Sequence, residues 1–129
     1  MDFRRGNPER PLVSVVDDDE SVRESLPDLL REFGFAATAF SSAKEFLLSD
    51  RVDQTKCLIL DVAMPDMTGL ELQQELNRRG QSIPIVFITG QRDEELRTQA
   101  LKEGAMNFLH KPFSDTALLE ALNMILRAN

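Results

Sequence analysis

The chain has one cysteine, Cys57, among its 129 residues. A single thiol cannot form an internal disulfide, and it cannot supply a cysteine-rich metal site. Positive charge is also scarce, since 15 lysines and arginines face 22 aspartates and glutamates and give a formal net charge of −7. Such an acidic chain is not expected to bind nonspecifically to the phosphate backbone of a nucleic acid. These two shortages exclude a disulfide-stapled scaffold and a basic nucleic-acid-binding segment.

Long apolar runs are absent as well. None approaches the roughly 20 residues of a membrane-spanning helix, and the start, MDFRRGNPERP, lacks the apolar middle of a secretory signal. We therefore expect no membrane contact and a cytoplasmic location. With 42% hydrophobic residues, the chain can bury one core. We expect a flexible lead-in at residues 1–10 and a single domain at residues 11–129.

Apolar runs alternate with amphipathic helical patterns five times. The predicted strands are 12–16, 36–40, 57–60, 84–89 and 107–110. The first, third and fourth runs are nearly continuous, as in strands that helices cover on both faces. The alternation predicts an α/β fold with a parallel sheet and helices on both faces. Ser114 or Asp115 is expected to cap the last helix, and Pro27 is expected to bend the first.

Polar residues stand at the ends of four of these predicted strands. Ligands of open parallel sheets bind at the carboxyl ends of the strands, so these residues are expected to meet. They are Asp17, Asp18 and Asp19 after the first strand, Asp61 after the third, Thr89 at the end of the fourth, and Lys111, which Pro112 follows, after the fifth.

The residue types at this edge suit phosphoryl chemistry. Carboxylates crowded together repel one another, and Mg²⁺ would relieve this while binding through hard oxygen ligands from Asp17, Asp18 and Asp61. A carboxylate can also attack phosphorus and form an aspartyl phosphate. The Thr89 hydroxyl and the Lys111 ammonium group are suited to holding phosphoryl oxygens.

Four motifs follow one another along the chain: VVDDDESVR, LILDVAMPDMTGLEL, IVFITG and FLHKPF. Together they resemble a response-regulator receiver domain, the phosphorylated half of a two-component signalling pair, over about residues 11–127. The stretch SVRESLPDLLREFGFAATAFSSAKEFL is similar to receivers of the nitrogen-fixation-regulator type, which usually precede a LuxR-type DNA-binding domain. The resemblance implies a flavodoxin-like, doubly wound sheet of five parallel strands in the order 2-1-3-4-5, with five helices.

The resemblance also assigns roles at the site. It implies that Asp61 is the phosphoacceptor, that Asp18 binds Mg²⁺ directly and that Asp17 acts partly through water. By the same resemblance, the backbone carbonyl of Ala63 would complete the protein's share of the metal shell, and Thr89 would bind the phosphoryl group.

Further roles come from the same resemblance. Lys111 joins Thr89 in binding the phosphoryl group, and the Lys111–Pro112 peptide bond is expected to be cis. Thr89 and Phe108 form the expected switch. Two residues depart from the common pattern: Ala63 replaces a polar side chain that influences phosphoryl lifetime, and Phe108 replaces a frequent Tyr. Any switch at Phe108 must therefore depend on burial and packing.

The implied function is signalling rather than enzymatic turnover. A sensor histidine kinase, or a small donor such as acetyl phosphate, would phosphorylate Asp61 with Mg²⁺. Phosphorylation would change an output surface on the fourth helix, fifth strand and fifth helix, which is also the expected homodimer face. The output would be control of a C-terminal DNA-binding domain outside this chain, with no nucleic-acid contact by these residues.

Four alternatives remain beside this interpretation. The chain could be a stand-alone receiver in a phosphorelay, or a degenerate receiver that acts as a constitutive interaction domain. A haloacid-dehalogenase-type phosphatase would need a second Asp at the position of Ala63. A nucleotide-binding module would need a glycine-rich phosphate loop after a strand, and neither GxGxxG nor GxxxxGK[ST] occurs there.

Several residues near the site have structural explanations. Asp19 and Glu20 suit the cap and first turn of a helix. His110 is expected to be structural or exposed rather than catalytic, and Cys57 an inert core thiol. Met64 and Met67 are expected to fill loop volume.

Overall fold

In the computed structural model, which describes residues 10–90 and 94–126, five parallel strands form one sheet. The strands are β1 (Leu12–Val16), β2 (Ala36–Phe40), β3 (Thr55–Asp61), β4 (Ile85–Thr89) and β5 (Asn107–His110). Their order across the sheet is β2-β1-β3-β4-β5, and each neighbouring pair is parallel. The predicted order 2-1-3-4-5 is confirmed.

The bounds of two strands differ from the prediction. β3 spans Thr55–Asp61, where the predicted strand was 57–60, and β4 begins at Ile85 rather than at Pro84. Thr55 is buried, donates to the carbonyl of Arg51 at 2.7 Å and lies 2.7 Å from the Ser14 hydroxyl. These contacts satisfy its polar group inside the sheet, which the alternation of apolar residues does not show.

Five α-helices and a short 3₁₀ helix lie within the described residues. They are α1 (Glu20–Glu32), α2 (Ala43–Leu48), the 3₁₀ helix (Val52–Gln54), α3 (Gly69–Arg78), α4 (Glu94–Lys102) and α5 (Asp115–Leu126). Asp19 caps α1, as predicted, and the Ser114 hydroxyl accepts from the Ala117 amide at the start of α5. α1 continues through Pro27, which is buried.

The alternation of side chains divides the core into two layers. Val13, Val15 and Ile59 point to the face covered by α1 and α5, whereas Leu60 and Phe87 point to the face covered by α2, α3 and α4. These five strand residues are buried. Both faces of the sheet are therefore sealed, and its edges are left for polar chemistry.

Two predictions concern matters beyond this core. The expected lead-in, residues 1–10, lies outside the described residues apart from Arg10. In the described parts of the chain, each helix is too short or too polar to cross a membrane.

Candidate functional site

Strand register gathers the predicted polar residues at the carboxyl edge of the sheet. Val16 pairs with Leu60, Asp61 pairs with Ile88, and Thr89 pairs with His110. Because each pair includes the last residue of a strand, the residues that follow leave the sheet at one edge. Asp17 and Asp18 directly follow β1, and Lys111 directly follows β5.

Three carboxylates converge at this edge. Asp17, Asp18 and Asp61 each present an oxygen, and these oxygens lie within 4.8 Å of one another. Asp17 is fully buried, Asp61 is 6% exposed and Asp18 is exposed. The cluster therefore has a buried base and an open side. Hard oxygen donors so close together match the ligand preference of a divalent cation such as Mg²⁺.

Asp17 is the most constrained member of the cluster. Its amide donates to the Phe40 carbonyl at 3.1 Å, and its own carbonyl accepts from Arg23 Nη1 at 3.0 Å. One carboxylate oxygen accepts from the Asp19 amide at 2.9 Å, and the other accepts from Lys111 Nζ at 2.9 Å. Every polar group of this residue is thus engaged, which fixes both its backbone and its side chain.

The electrostatics of Asp61 show that the cluster has too little positive charge to balance its carboxylates. Burial, followed by the negative charge of Asp17, raises the pKa of Asp61 from 3.8 to about 7, and the hydrogen bond with Asp18 acts in the same direction. Lys111 and the Ala63 amide lower this pKa, but they do not compensate. A bound divalent cation would favour the ionised carboxylate, so the donor set fits Mg²⁺.

Lys111 is held at the site from both its backbone and its side chain. Its amide donates to the Thr89 carbonyl at 2.7 Å, and its peptide bond to Pro112 is cis. The side chain is 24% exposed. Burial lowers the pKa of Lys111, but the hydrogen bond and charge of Asp17 outweigh burial and raise it overall. The ammonium group is therefore a fixed positive charge beside the carboxylates.

Gly69 is a site residue that sequence reasoning missed. It opens α3 and donates to the Val62 carbonyl at 2.9 Å. A Cβ at this position would overlap the backbone oxygen of Asp61, and it would come within 3.0 Å of the Phe87 ring. Glycine is needed here because α3 packs directly on the strand end that carries Asp61. Only the glycine itself, in MPDMTGLEL, could have signalled this contact.

Thr89 and Phe108 lie on the same face of the sheet. Thr89 is 2% exposed at the end of β4. Phe108 pairs in register with Phe87, and their ring centroids are 6.1 Å apart. Phe108 is half-buried and packs against the core layer under α3 and α4. Because phenylalanine has no hydroxyl group, packing is what holds the Phe108 ring in place. The switch role of Phe108 stays a prediction.

The cysteine, the two methionines and the histidine that were expected to be structural are buried or half-buried. Cys57 is fully buried, and burial raises the pKa of its thiol to about 12, which keeps it protonated. Met64 is buried and Met67 is half-buried in the core. His110 is half-buried, and its Nε2 has no hydrogen-bond partner among the described residues.

A doubly wound sheet with this acidic edge defines a response-regulator receiver domain. Residues 13–123 match the family described as the response regulator receiver domain, and the chain belongs to it. The family predicted from the motifs is thereby confirmed.

Curated relatives place the chain among nitrogen-fixation-type regulators, as predicted. Nodulation protein W of Bradyrhizobium diazoefficiens is 48% identical over 113 residues, which cover 88% of this chain and 50% of the relative. Transcriptional regulatory protein FixJ of Azorhizobium caulinodans is 44% identical over 115 residues, which cover 89% and 54%. The chain spans about half the length of these curated relatives.

Solved structures agree with the fold. The response regulator StyR superposes with a TM-score of 0.85 at 48% identity, covering 93% of this chain and 61% of that one. The structure called FIXJ-N superposes with a TM-score of 0.80 at 38% identity, covering 89% and 92%. FixJ and StyR are named as regulators, which agrees with the expected signalling role.

Proposed function

We propose that this receiver domain is a phosphorylation-dependent switch whose acceptor is Asp61. One observation carries the proposal: Asp61 lies in a carboxylate cluster, and Lys111 is ion-paired to that cluster at 2.9 Å from Asp17. A nucleophile, a cation site and a fixed positive charge are the parts that phosphoryl transfer requires.

Asp17, Asp18 and Asp61 would hold Mg²⁺, with the carbonyl of Ala63 as a further donor. When bound, the ion supplies positive charge to the phosphoryl oxygens and to the carboxylates. Asp18 is the exposed member, which suits direct binding, whereas the oxygens of Asp17 are already engaged. Asp17 therefore acts partly through water, as the resemblance implies.

The transfer step uses the side chains as follows. A carboxylate oxygen of Asp61 attacks phosphorus while the P–N bond of a kinase phosphohistidine breaks, and its electron pair returns to the imidazole nitrogen. With acetyl phosphate, a P–O bond breaks and acetate leaves. Lys111 and the Thr89 hydroxyl bind oxygens of the transferring group. Attack by water on phosphorus later releases phosphate and restores the carboxylate.

A groove beside the site supports a helical protein partner such as a histidine kinase. It has a volume of about 300 Å³ and lies between α1 and the segment entering α5. Its apolar lining includes Val22, Leu26, Leu29 and Phe113. Apolar side chains at helical spacing next to a reactive group suit recognition of another helix.

The output of the switch would involve the face formed by α4, β5 and α5. Leu101, Met106 and Met124 are exposed on α4, β5 and α5, or next to them, and they support homodimerisation through this face. The greater length of the curated relatives supports control of a DNA-binding domain. Ala63 at the general-acid position disfavours the phosphatase alternative, since a methyl group cannot transfer a proton.

The test is incubation with acetyl phosphate and Mg²⁺, followed by intact mass measurement. We expect one phosphoryl group on the wild-type chain and none on Asp61→Asn. Asp50→Asn, which changes an exposed carboxyl away from the site, should be labelled like the wild type. Labelling that persists in Asp61→Asn, or its absence from the wild type, would contradict the proposal.

A further inference from the structure

Arg23 reaches from α1 to the backbone of the acidic cluster. Its Nη1 donates to the carbonyl oxygen of Asp17 at 3.0 Å, and the side chain is half-buried. This carbonyl belongs to the peptide that links Asp17 to Asp18. A planar peptide with its oxygen held in place has a fixed orientation, so Arg23 constrains the direction in which the next residue leaves β1.

Asp18 is the residue most affected by that orientation. The Asp17 side chain has its own anchors, the Asp19 amide and Lys111 Nζ. Asp18 is exposed, and one of its carboxylate oxygens lies within 4.8 Å of oxygens of Asp17 and Asp61. Its carboxylate meets the other two only if the preceding peptide is correctly oriented. Ligand groups need placement within about 0.5 Å for full effect.

We infer that Arg23 is a positioning residue, which sets the Asp17–Asp18 peptide so that the three carboxylates converge on one cation. The inference rests on the proposed function, because it concerns the same metal-assisted site. Nothing in the chain's motifs assigns Arg23 a role. Its action is indirect, since its described contact is with a backbone oxygen rather than with a carboxylate.

Positioning and simple charge predict opposite effects of removing this arginine. Loss of a positive charge near three carboxylates should tighten cation binding by Coulomb's law. Loss of the hydrogen bond to Asp17 should loosen it, because Asp18 is no longer oriented. Arg23→Met removes both the charge and the hydrogen bond. Arg23→Lys keeps the charge and one flexible donor, so it should restore binding in part.

Arg31 provides a matched control on the same helix. Its Nη2 donates to the carbonyl of Ala37 at 3.1 Å, which is the same type of side-chain-to-backbone bond. Arg31 lies in the last turn of α1, away from the site. Arg31→Met should therefore remove a contact between α1 and the sheet, as Arg23→Met does, but leave the metal site unchanged.

The experiment compares Mg²⁺ affinity in the wild type, Arg23→Met, Arg23→Lys and Arg31→Met by titration calorimetry. Circular dichroism checks the fold of each variant. We expect Arg23→Met to bind Mg²⁺ about tenfold more weakly, the scale of one lost hydrogen bond near charged groups. Arg23→Lys should fall between, and Arg31→Met should match the wild type. If Arg23→Met does not fold, the inference is tested by comparing the Mg²⁺ affinities of Arg23→Lys and Arg31→Met. Arg23→Lys should bind Mg²⁺ more weakly than Arg31→Met does.

Acetyl phosphate labelling distinguishes failure of the Arg23 inference from failure of the proposed function. In Arg23→Met, raising Mg²⁺ to saturation should recover most of the wild-type labelling rate. Unchanged or tighter Mg²⁺ binding in that variant, or equal weakening in Arg31→Met, overturns the inference while leaving the proposed function intact. A wild-type chain that neither binds Mg²⁺ nor becomes labelled overturns both.

Discussion

The two edges of the sheet differ in charge and shape. At the carboxyl edge, three carboxylates and Lys111 converge around Asp61. At the amino edge lies a cavity of about 560 Å³, whose lining includes Arg10, Arg51 and Lys56. The carboxylate cluster is not part of this cavity. Convergent groups with a perturbed pKa identify the site better than volume does.

Helix direction explains why the two edges have opposite charges. In this fold, α1, α3 and α5 begin near the carboxyl edge, where unpaired amides and the positive ends of the helix dipoles favour negative groups. The helices end towards the amino edge, where the dipoles favour positive groups. Asp17–Asp19 precede α1 directly, whereas Arg10 and Lys56 lie at the starts of strands. The helix dipoles therefore favour the acidic cluster at the carboxyl edge and the basic residues at the amino edge.

The largest expected difference between the edges concerns their lysines. Lys111→Met should lower the free energy of unfolding by about 3 kcal/mol at neutral pH, because it leaves the fully buried Asp17 without its charged partner. Lys56→Met, on the exposed amino edge, should change it by less than about 0.5 kcal/mol. Urea unfolding of both variants measures the difference. Equal effects would show that the Asp17 ion pair contributes no more than a surface charge.

Glycines at the two ends of α3 give the next comparison. Gly69→Ala should cost about 2 kcal/mol and slow labelling of Asp61, since the new Cβ overlaps the backbone of that residue. Gly80 has φ +75° and open space, so Gly80→Ala should cost about 1 kcal/mol through backbone strain alone. Urea unfolding and acetyl phosphate labelling separate the two. Slower labelling in Gly80→Ala would refute the local explanation.

The raised pKa of Asp61 predicts a pH dependence of stability in metal-free buffer. The carboxyl has a pKa of 3.8 in the unfolded chain and about 7 in the folded one, mainly because of burial. The folded state therefore holds its proton more tightly, and stability should fall as pH rises from about 4 through 7. Asp61→Asn should remove this fall and be about 2 kcal/mol more stable at pH 8, with partial solvation allowed for.

Chemical unfolding at several pH values in the presence of a chelator measures this dependence. Asp50→Asn, near the amino edge, should keep the wild-type slope. Added Mg²⁺ should restore wild-type stability at pH 8, because a bound cation stabilises the folded state. A wild-type stability that rises between pH 4 and 7 as much as that of Asp61→Asn would contradict the assignment.

The smallest effect is expected at the cap of α3. The Thr68 hydroxyl accepts from the Glu71 amide at 3.2 Å, while the Glu71 carboxylate accepts from the Thr68 amide at 2.9 Å. Thr68→Ala should cost about 1 kcal/mol, and Thr68→Ser much less. Thermal unfolding is sufficient to detect this. Equal stability of the two variants would show that the cap does not hold α3 against Asp61.

Sequence periodicity located β1, β2 and β5 at their observed bounds, since their ends coincide with turn residues and polar clusters. The rule that parallel strands share a carboxyl edge then brought Asp17, Asp61 and Lys111 together. The start of β3 was missed because Thr55 is buried through hydrogen bonds to Arg51 and Ser14, which no local pattern shows.

The site residues that sequence missed are those that act through the backbone. Gly69 is needed because α3 packs against Asp61, and Arg23 binds the carbonyl of Asp17. Both contacts depend on how a helix is placed on the sheet. The Thr68–Glu71 cap is different, because its T-x-x-E spacing was readable from the sequence.

The direction of α5 has a practical consequence. Ile125 and Leu126, in its last described turn, line the amino-edge cavity together with Leu12 and Pro84. A fluorophore attached within this last turn would sit a full strand length, roughly 17 Å, from the phosphoryl acceptor. Such a probe would sense phosphorylation only through rearranged packing across the thickness of the domain, and direct quenching by the bound group would not reach it.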